Sequence, residues 1–293
     1  MAARRERPPR DDRLLPATRI LAAVVIPFLA AAAFLLLLLP GTTATTFAWT
    51  IRPPLSAMLL GSAYLGGIWF FSWTVLETRW HRVHPGFPAV VVFAGLLGIA
   101  TLLHADRFHP WHVSFVTWSV LYAVTPFAVL AVLLVNRLRD PRTPEPDDAE
   151  VPRVWATWLA VAGGLAAVAG LALFLSPVPS ALSEAWGWSL TPLTAKVLGA
   201  VLTLPGVVNL QLLRDRRWSS FRWTFQAQLA SLAAMLVSVA ARAGDLEWTR
   251  PAAWAFAALI AGSAVAYAVF YAGMERRRRV LARAARDPAA GAA

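Results

Sequence analysis

The chain has 293 residues, of which 58% are hydrophobic and only 15% charged. That balance excludes an ordinary soluble globular domain. The net charge of +11 comes from 27 basic residues against 16 acidic ones, and there is no cysteine. Disulfides, thiolate metal sites, iron–sulfur clusters, covalent c-type haem and thiol catalysis are therefore excluded.

In chain order, a basic, proline-containing segment at 1–13 reads as a disordered tail. Eight apolar blocks follow, at 20–39, 55–75, 87–103, 113–135, 154–175, 193–213, 225–241 and 252–272. Each is long enough to cross a hydrocarbon core of ~30 Å. A spanning segment must satisfy its backbone internally, and these are too long and too uniformly apolar for barrel strands, so each is expected to be a helix. The first block exceeds a signal-peptide core in length. Residues 137–153, with Pro141, Pro144, Pro146 and mixed charges, read as a linker. The expected organisation is a four-helix unit at 14–136, the linker, a second four-helix unit at 154–274, and a basic tail at 275–293. The loops after the first and fifth blocks are long enough to hold a short interfacial segment.

The two units repeat one another at low identity, with 47–135 matching 186–272. Trp49-Thr50-Ile51-Arg52-Pro53-Pro54-Leu55 aligns with Trp188-Ser189-Leu190-Thr191-Pro192-Leu193, with one extra proline in the first. Beyond it the spacing is 138 residues: Gly61 falls on Gly199, Glu77 on Asp215, Arg79 on Arg217, Trp80 on Trp218 and Phe87 on Phe225. Near the end a two-residue slip is expected to place Trp118 on Trp254. An even number of spans per copy gives both copies one orientation, as in parallel repeats related by an axis along the membrane normal.

Alternating eight spans places 22 of the 27 basic residues on one side, in 1–19, 76–86, 136–153, 214–224 and the segment after 273. This positive-inside bias predicts cytoplasmic termini. The arginines then serve topology and anionic headgroups, and no nucleic-acid partner is expected. A composition rich in Arg, Ala, Leu and Pro with a single lysine suggests a high-GC bacterial genome, hence a bacterial cytoplasmic membrane. Most tryptophans, among them Trp49, Trp188, Trp80, Trp218 and Trp223, are expected to form an aromatic belt at the interfaces. Trp69, in mid-helix, is the exception.

The strings Ala100-Thr101-Leu102-Leu103-His104-Ala105-Asp106-Arg107-Phe108 and Trp188-Ser189-Leu190-Thr191-Pro192-Leu193-Thr194-Ala195 resemble a group of multi-pass membrane proteins of high-GC bacteria with no known activity. Each half also resembles DoxX-like four-helix membrane proteins, in the glycine of its second helix, the basic turn after it and the polar end of the third. The resemblance implies the four-helix unit and no functional residue.

None of the acidic residues falls inside a predicted span, which argues against proton coupling. No phosphate-binding loop, zinc-protease helix or nucleophile elbow is found, so no catalytic residue and no cofactor is assigned. Three polar features stand out. Glu77-Thr78-Arg79-Trp80 and Asp215-Arg216-Arg217-Trp218 either anchor helix ends or pair across the copies. His104, Asp106, His109 and His112 could hold a metal through imidazole and carboxylate, in a spacing that matches no standard motif. Arg52, Lys196, Arg242 and His104 gather at the outer boundary, beside the proline-led starts of two helices, where an anionic group would be favoured. The expected function is binding or moving a lipid-like or small amphipathic molecule at an outward-facing crevice between the repeats. The alternatives are a structural or accessory subunit with a membrane-complex partner, and a metal- or haem-dependent redox protein.

Overall fold

The computed structural model describes residues 11–141, 145 and 148–284. Among these residues, eight helices are long and apolar enough to cross a membrane. They are α1 (Pro16–Leu38), α2 (Pro54–Leu76), α3 (Gly86–Leu103), α4 (Val113–Arg139), α5 (Arg153–Leu175), α6 (Pro192–Leu210), α7 (Trp218–Ala241) and α8 (Pro251–Ala284). No strand occurs among the described residues. The protein is an all-α polytopic membrane protein. One-turn helices at Thr43–Thr46 and Ala181–Glu184 sit in the two long loops.

Two helices extend beyond their apolar blocks. Helix α7 begins at Trp218, not at 225, because its polar first turns still bury Trp218, Ser220 and Phe221. Helix α8 continues through Ala284, carrying into a helix the basic run read as a tail from 275. Arg, Leu and Ala are all good helix formers. Residues 1–10 and 285–293 of the expected tails, and 142–144, 146 and 147 of the linker, lie outside the described residues.

Helices α2 and α6 form the centre. Their apolar windows are 72% and 67% buried, against 17% to 39% for the other six. Helix α2 packs on α1 and α7, and α6 on α5 and α3. Each central helix thus touches one helix of its own half and one of the other, so the halves interlock. Small residues let backbones approach closely where lipid offers no hydrophobic drive between helices.

Several contacts recur about 138 residues apart. At the end rich in arginine, the Leu14 N–H donates to the Thr78 carbonyl (2.8 Å) and the Trp80 N–H to that of Asp12 (2.7 Å). Val151 bonds Arg216 and Trp218 bonds Ala149 in the same way, at 2.8 Å each. At the opposite end His109 donates to the Ala48 carbonyl (2.9 Å), and Glu247 to that of Gly187 (2.8 Å). The Trp49–Trp118 ring pair (4.8 Å, 73°) has its counterpart in Trp188–Phe256 (4.9 Å, 74°). The partner of Trp118 at this spacing is Phe256, with no slip to Trp254. These pairings also define two ends of the bundle, a basic end and a far end. Asp12 and Arg13, read as tail, are tied to the turn after α2.

The belt expectation needs correction for five tryptophans. Trp49, Trp80, Trp188, Trp218 and Trp223 are all buried, at 7% exposure or less. They sit at the right depth but plug the ends of the bundle. Their indole bodies bury large apolar area, and three of the N–H groups find partners. Trp188 donates to Ser56 (2.9 Å), Trp218 to Glu275 (2.9 Å) and Trp223 to Glu77 (2.6 Å). Trp69 is exposed and donates to Gln226 (3.1 Å).

Candidate functional site

Glycines on α2 and α3 bring α4 and α7 close to the centre. A Cβ on Gly66 would lie 2.0 Å from Ser231 Oγ and 2.8 Å from the Ala227 carbonyl of α7. A Cβ on Gly98 would lie 3.1 Å from the Tyr122 carbonyl of α4. Tyr122 then faces Tyr64 of α2, and their hydroxyls are hydrogen-bonded at 2.7 Å. Both rings are buried. Beside them lies a cavity of 110 Å³, walled by apolar residues of α1 to α4 and by Leu204, Val208, Thr224, Ala227 and Ser231 of the second half. No charged residue lines it. Its polar groups are hydroxyls, and that of Thr224 is buried without a partner.

A second space of 400 Å³ runs as a groove between α1 and α4. It begins near Phe47 and Ser114 at the far end and reaches Leu29, Tyr64 and Leu121. Those last three residues also line the cavity. Groove and cavity therefore adjoin at mid-depth, and the groove wall is likewise uncharged.

The far-end cations are engaged differently. Lys196 donates to the Phe174 carbonyl at 2.6 Å and lies 5.2 Å from the Phe174 ring centroid. It thus meets the C-terminal end of α5, a favourable place for a cation. Burial first, and the nearby Lys196 charge second, hold the His104 imidazole below its ordinary pKa. Lys196 and His104 are therefore neighbours. Arg52 is exposed, and neither it nor Arg242 makes an ion pair among the described residues. The N-terminus of α2 is already occupied by an anion, since the Asp245 carboxylate accepts from the Leu55 N–H at 2.8 Å. The sequence offered no way to see that Asp245, at the end of α7, caps a helix in the other half.

The histidine run is structural in its contacts. His109 donates from Nδ1 to the Phe47 carbonyl (2.9 Å), leaving Nε2 to accept from Thr50 (3.3 Å). His112 caps α4, its Nδ1 accepting from the Ser114 N–H (3.2 Å). Asp106 pairs with Arg107 at 3.0 Å. Among the described residues, no group of three or more His, Asp or Glu side chains is placed to hold a metal ion.

The basic end holds a polar network that joins the two halves. Glu77 accepts from Trp223 of α7 and pairs with Arg82 (3.4 Å), while Trp223 stacks on Trp73 at 3.4 Å. Asp215 is bound by its neighbour Arg217 (2.8 Å) and faces His84 of the other half at 3.9 Å. Asp215 thus forms its ion pair within its own half, with Arg217, and meets the other half only at the His84 imidazole, whereas Glu77 crosses through an indole N–H. His81, fully buried, lies between Asp12 (2.5 Å) and Glu145 of the linker (3.2 Å). Arg82 binds Glu145 at 2.8 Å. Burial alone would raise the Asp12 and Asp215 carboxyls, but hydrogen bonds from His81 and Arg217 outweigh it and hold both below the usual carboxylate value. Burial pushes His84 down.

No family model, no curated protein and no solved structure matches this chain.

Proposed function

We propose that this membrane protein holds the chain of a lipid-like or small amphipathic molecule in the groove between α1 and α4, without proton coupling. The observation that carries the reading is the adjoining groove and cavity, which share Leu29, Tyr64 and Leu121. Ligand sites are concave, mostly apolar and marked by a few polar groups, and this path fits that description. Its lining has no carboxylate that could relay a proton. Because α6 and α7 complete the cavity wall, the molecule would rest against both halves. The recurring contacts support a tandem pair of four-helix units. The 22 basic residues that alternating spans assign to one side support placing the basic end, and both termini, in the cytoplasm of a bacterial cell.

Plugging the groove tests the proposal. Ala32 lines it, and its counterpart on α5 is Ala169, exposed on the outer surface. Ala32→Trp should reduce co-purifying lipid, measured by native mass spectrometry, by ~10-fold, the ratio that a loss of ~1.4 kcal/mol gives. Ala169→Trp should leave it unchanged. Equal retention in both variants would remove the groove from consideration.

A further inference from the structure

Buried hydroxyls normally find partners. A tyrosine hydroxyl carries one proton and can also accept. In the Tyr64–Tyr122 pair one hydroxyl donates to the other, so the accepting hydroxyl keeps a proton of its own. That proton has no acceptor among the described residues. Thr224, 4% exposed and lining the same cavity, leaves a second hydroxyl without a partner. Unused O–H groups of the tyrosine pair and of Thr224 thus belong to a wall that also carries the Thr125 and Ser231 hydroxyls and has no charge to balance an ion. A charged headgroup would be desolvated there with nothing opposite it. A neutral acceptor, such as a carbonyl oxygen, would satisfy the donors at no such cost. Size sets a further limit. An apolar cavity of ~150 Å³ holds benzene, so 110 Å³ admits at most about one six-membered ring or a few methylenes. The groove supplies room for an apolar chain attached to it.

We infer that the cavity at Tyr64, Tyr122 and Thr224 binds the uncharged carbonyl end of a long-chain amphiphile, either a prenylated quinone or a fatty-acyl ester, whose chain lies in the groove. This inference rests on the groove reading proposed above. Three probes separate the sources: a benzoquinone with a short isoprenoid tail, a fatty acid methyl ester of similar length, and a prenylated benzene with no oxygen. Binding is measured on the purified full chain by calorimetry. At least one carbonyl probe should bind ~10-fold more tightly than the prenylated benzene. Which one does so identifies the source. The double variant Tyr64→Phe/Tyr122→Phe, which keeps the ring volume, should remove most of that preference without changing the affinity for prenylated benzene. Thr224→Val should weaken it in part. Thermal melting of each variant reports folding. If the wild type binds all three probes equally, or the double variant keeps the preference undiminished, the carbonyl inference fails. The groove reading survives that outcome when Ala32→Trp still blocks prenylated benzene. If none of the probes binds, both fail.

Discussion

The two halves use matching helices to different ends. In the second half, α5 and α6 meet backbone to backbone. A Cβ on Gly170 would lie 2.5 Å from the Gly199 carbonyl, and one on Gly206 would lie 2.6 Å from that of Gly163. In the first half the matching positions hold Ile26, Ala33 and Ile68, with glycine kept only at Gly61. There a Cβ would meet the Leu37 side chain at 2.9 Å. Side chains therefore separate α1 from α2 where bare backbone joins α5 to α6. The tyrosines differ as well, since Tyr64 and Tyr122 stand where the second half has Leu202 and Ile260. One half is built as a tight post. The other is looser and carries the hollow. A shared scaffold can hold a rigid part and a receptive part side by side, decided by a few residues at helix crossings.

One substitution made at both matching glycines should break or sharpen this contrast most. Gly199→Ala forces a methyl against the Gly170 carbonyl and the Phe174 backbone. It is expected to cost about 3 kcal/mol, because backbone cannot rotate aside. Gly61→Ala meets Leu37 Cγ at 2.9 Å and Leu36 Cβ at 3.0 Å, side-chain atoms and not a carbonyl, and should cost less, about 1–2 kcal/mol. Thermal unfolding in detergent compares them, and equal losses would mean that the halves pack alike. A smaller difference is expected at the basic end. Trp223→Phe removes the N–H that satisfies buried Glu77 and should cost about 2 kcal/mol. His84→Gln gives up the bond from His84 Nδ1 to the His81 carbonyl (3.0 Å), which the amide can in part replace, and the 3.9 Å contact with Asp215, and should cost about 1 kcal/mol. The smallest effect is in pH. His84 is lowered from an ordinary 6.5 by burial, so its neutral form suits the folded state. That contribution is complete above 6.5 and is lost as pH falls below it. Asp12 and Asp215, held below 3.8, add losses only in stronger acid. His84→Gln should flatten part of the first stage of the acid profile, His104 supplying the rest, and leave the second. An unchanged first stage would show that His84 contributes nothing to it.

Much of this architecture was legible from hydropathy, because a bilayer demands a fixed length of apolar helix. The eight spans are where the apolar blocks lie. The start of α7 was hidden, since Ser219, Ser220, Arg222 and Thr224 interrupt the apolar run, and only burial of one face explains their helix. Burial of Trp80 and Trp218 was hidden for a similar reason: a tryptophan near a helix end looks the same whether it faces headgroups or plugs the bundle. The hollow was the least legible part. A cavity is a difference between packed volumes, and no single residue announces it. One sequence signal could have found its polar edge. Matching the halves residue by residue leaves two hydroxyl-bearing rings in one copy facing aliphatic side chains in the other. The far-end cations were noticed for their charge, but charge alone could not reveal that Phe174 and Asp245 already answer Lys196 and the start of α2.

Helix α8 has 34 residues, about 51 Å at 1.5 Å per residue. A hydrocarbon core takes ~30 Å of that, so roughly 20 Å is left over for the headgroup layer and beyond. Arg276 to Arg279 ring this stretch, since consecutive residues turn by about 100° and four of them face every direction. Glu275, just below, is held by Trp218 and Arg222 and fixes the height at which the ring emerges. Such a collar resists sinking whichever way the helix leans, because some guanidinium always meets the phosphates. It works as a depth gauge for the whole bundle, set from one helix.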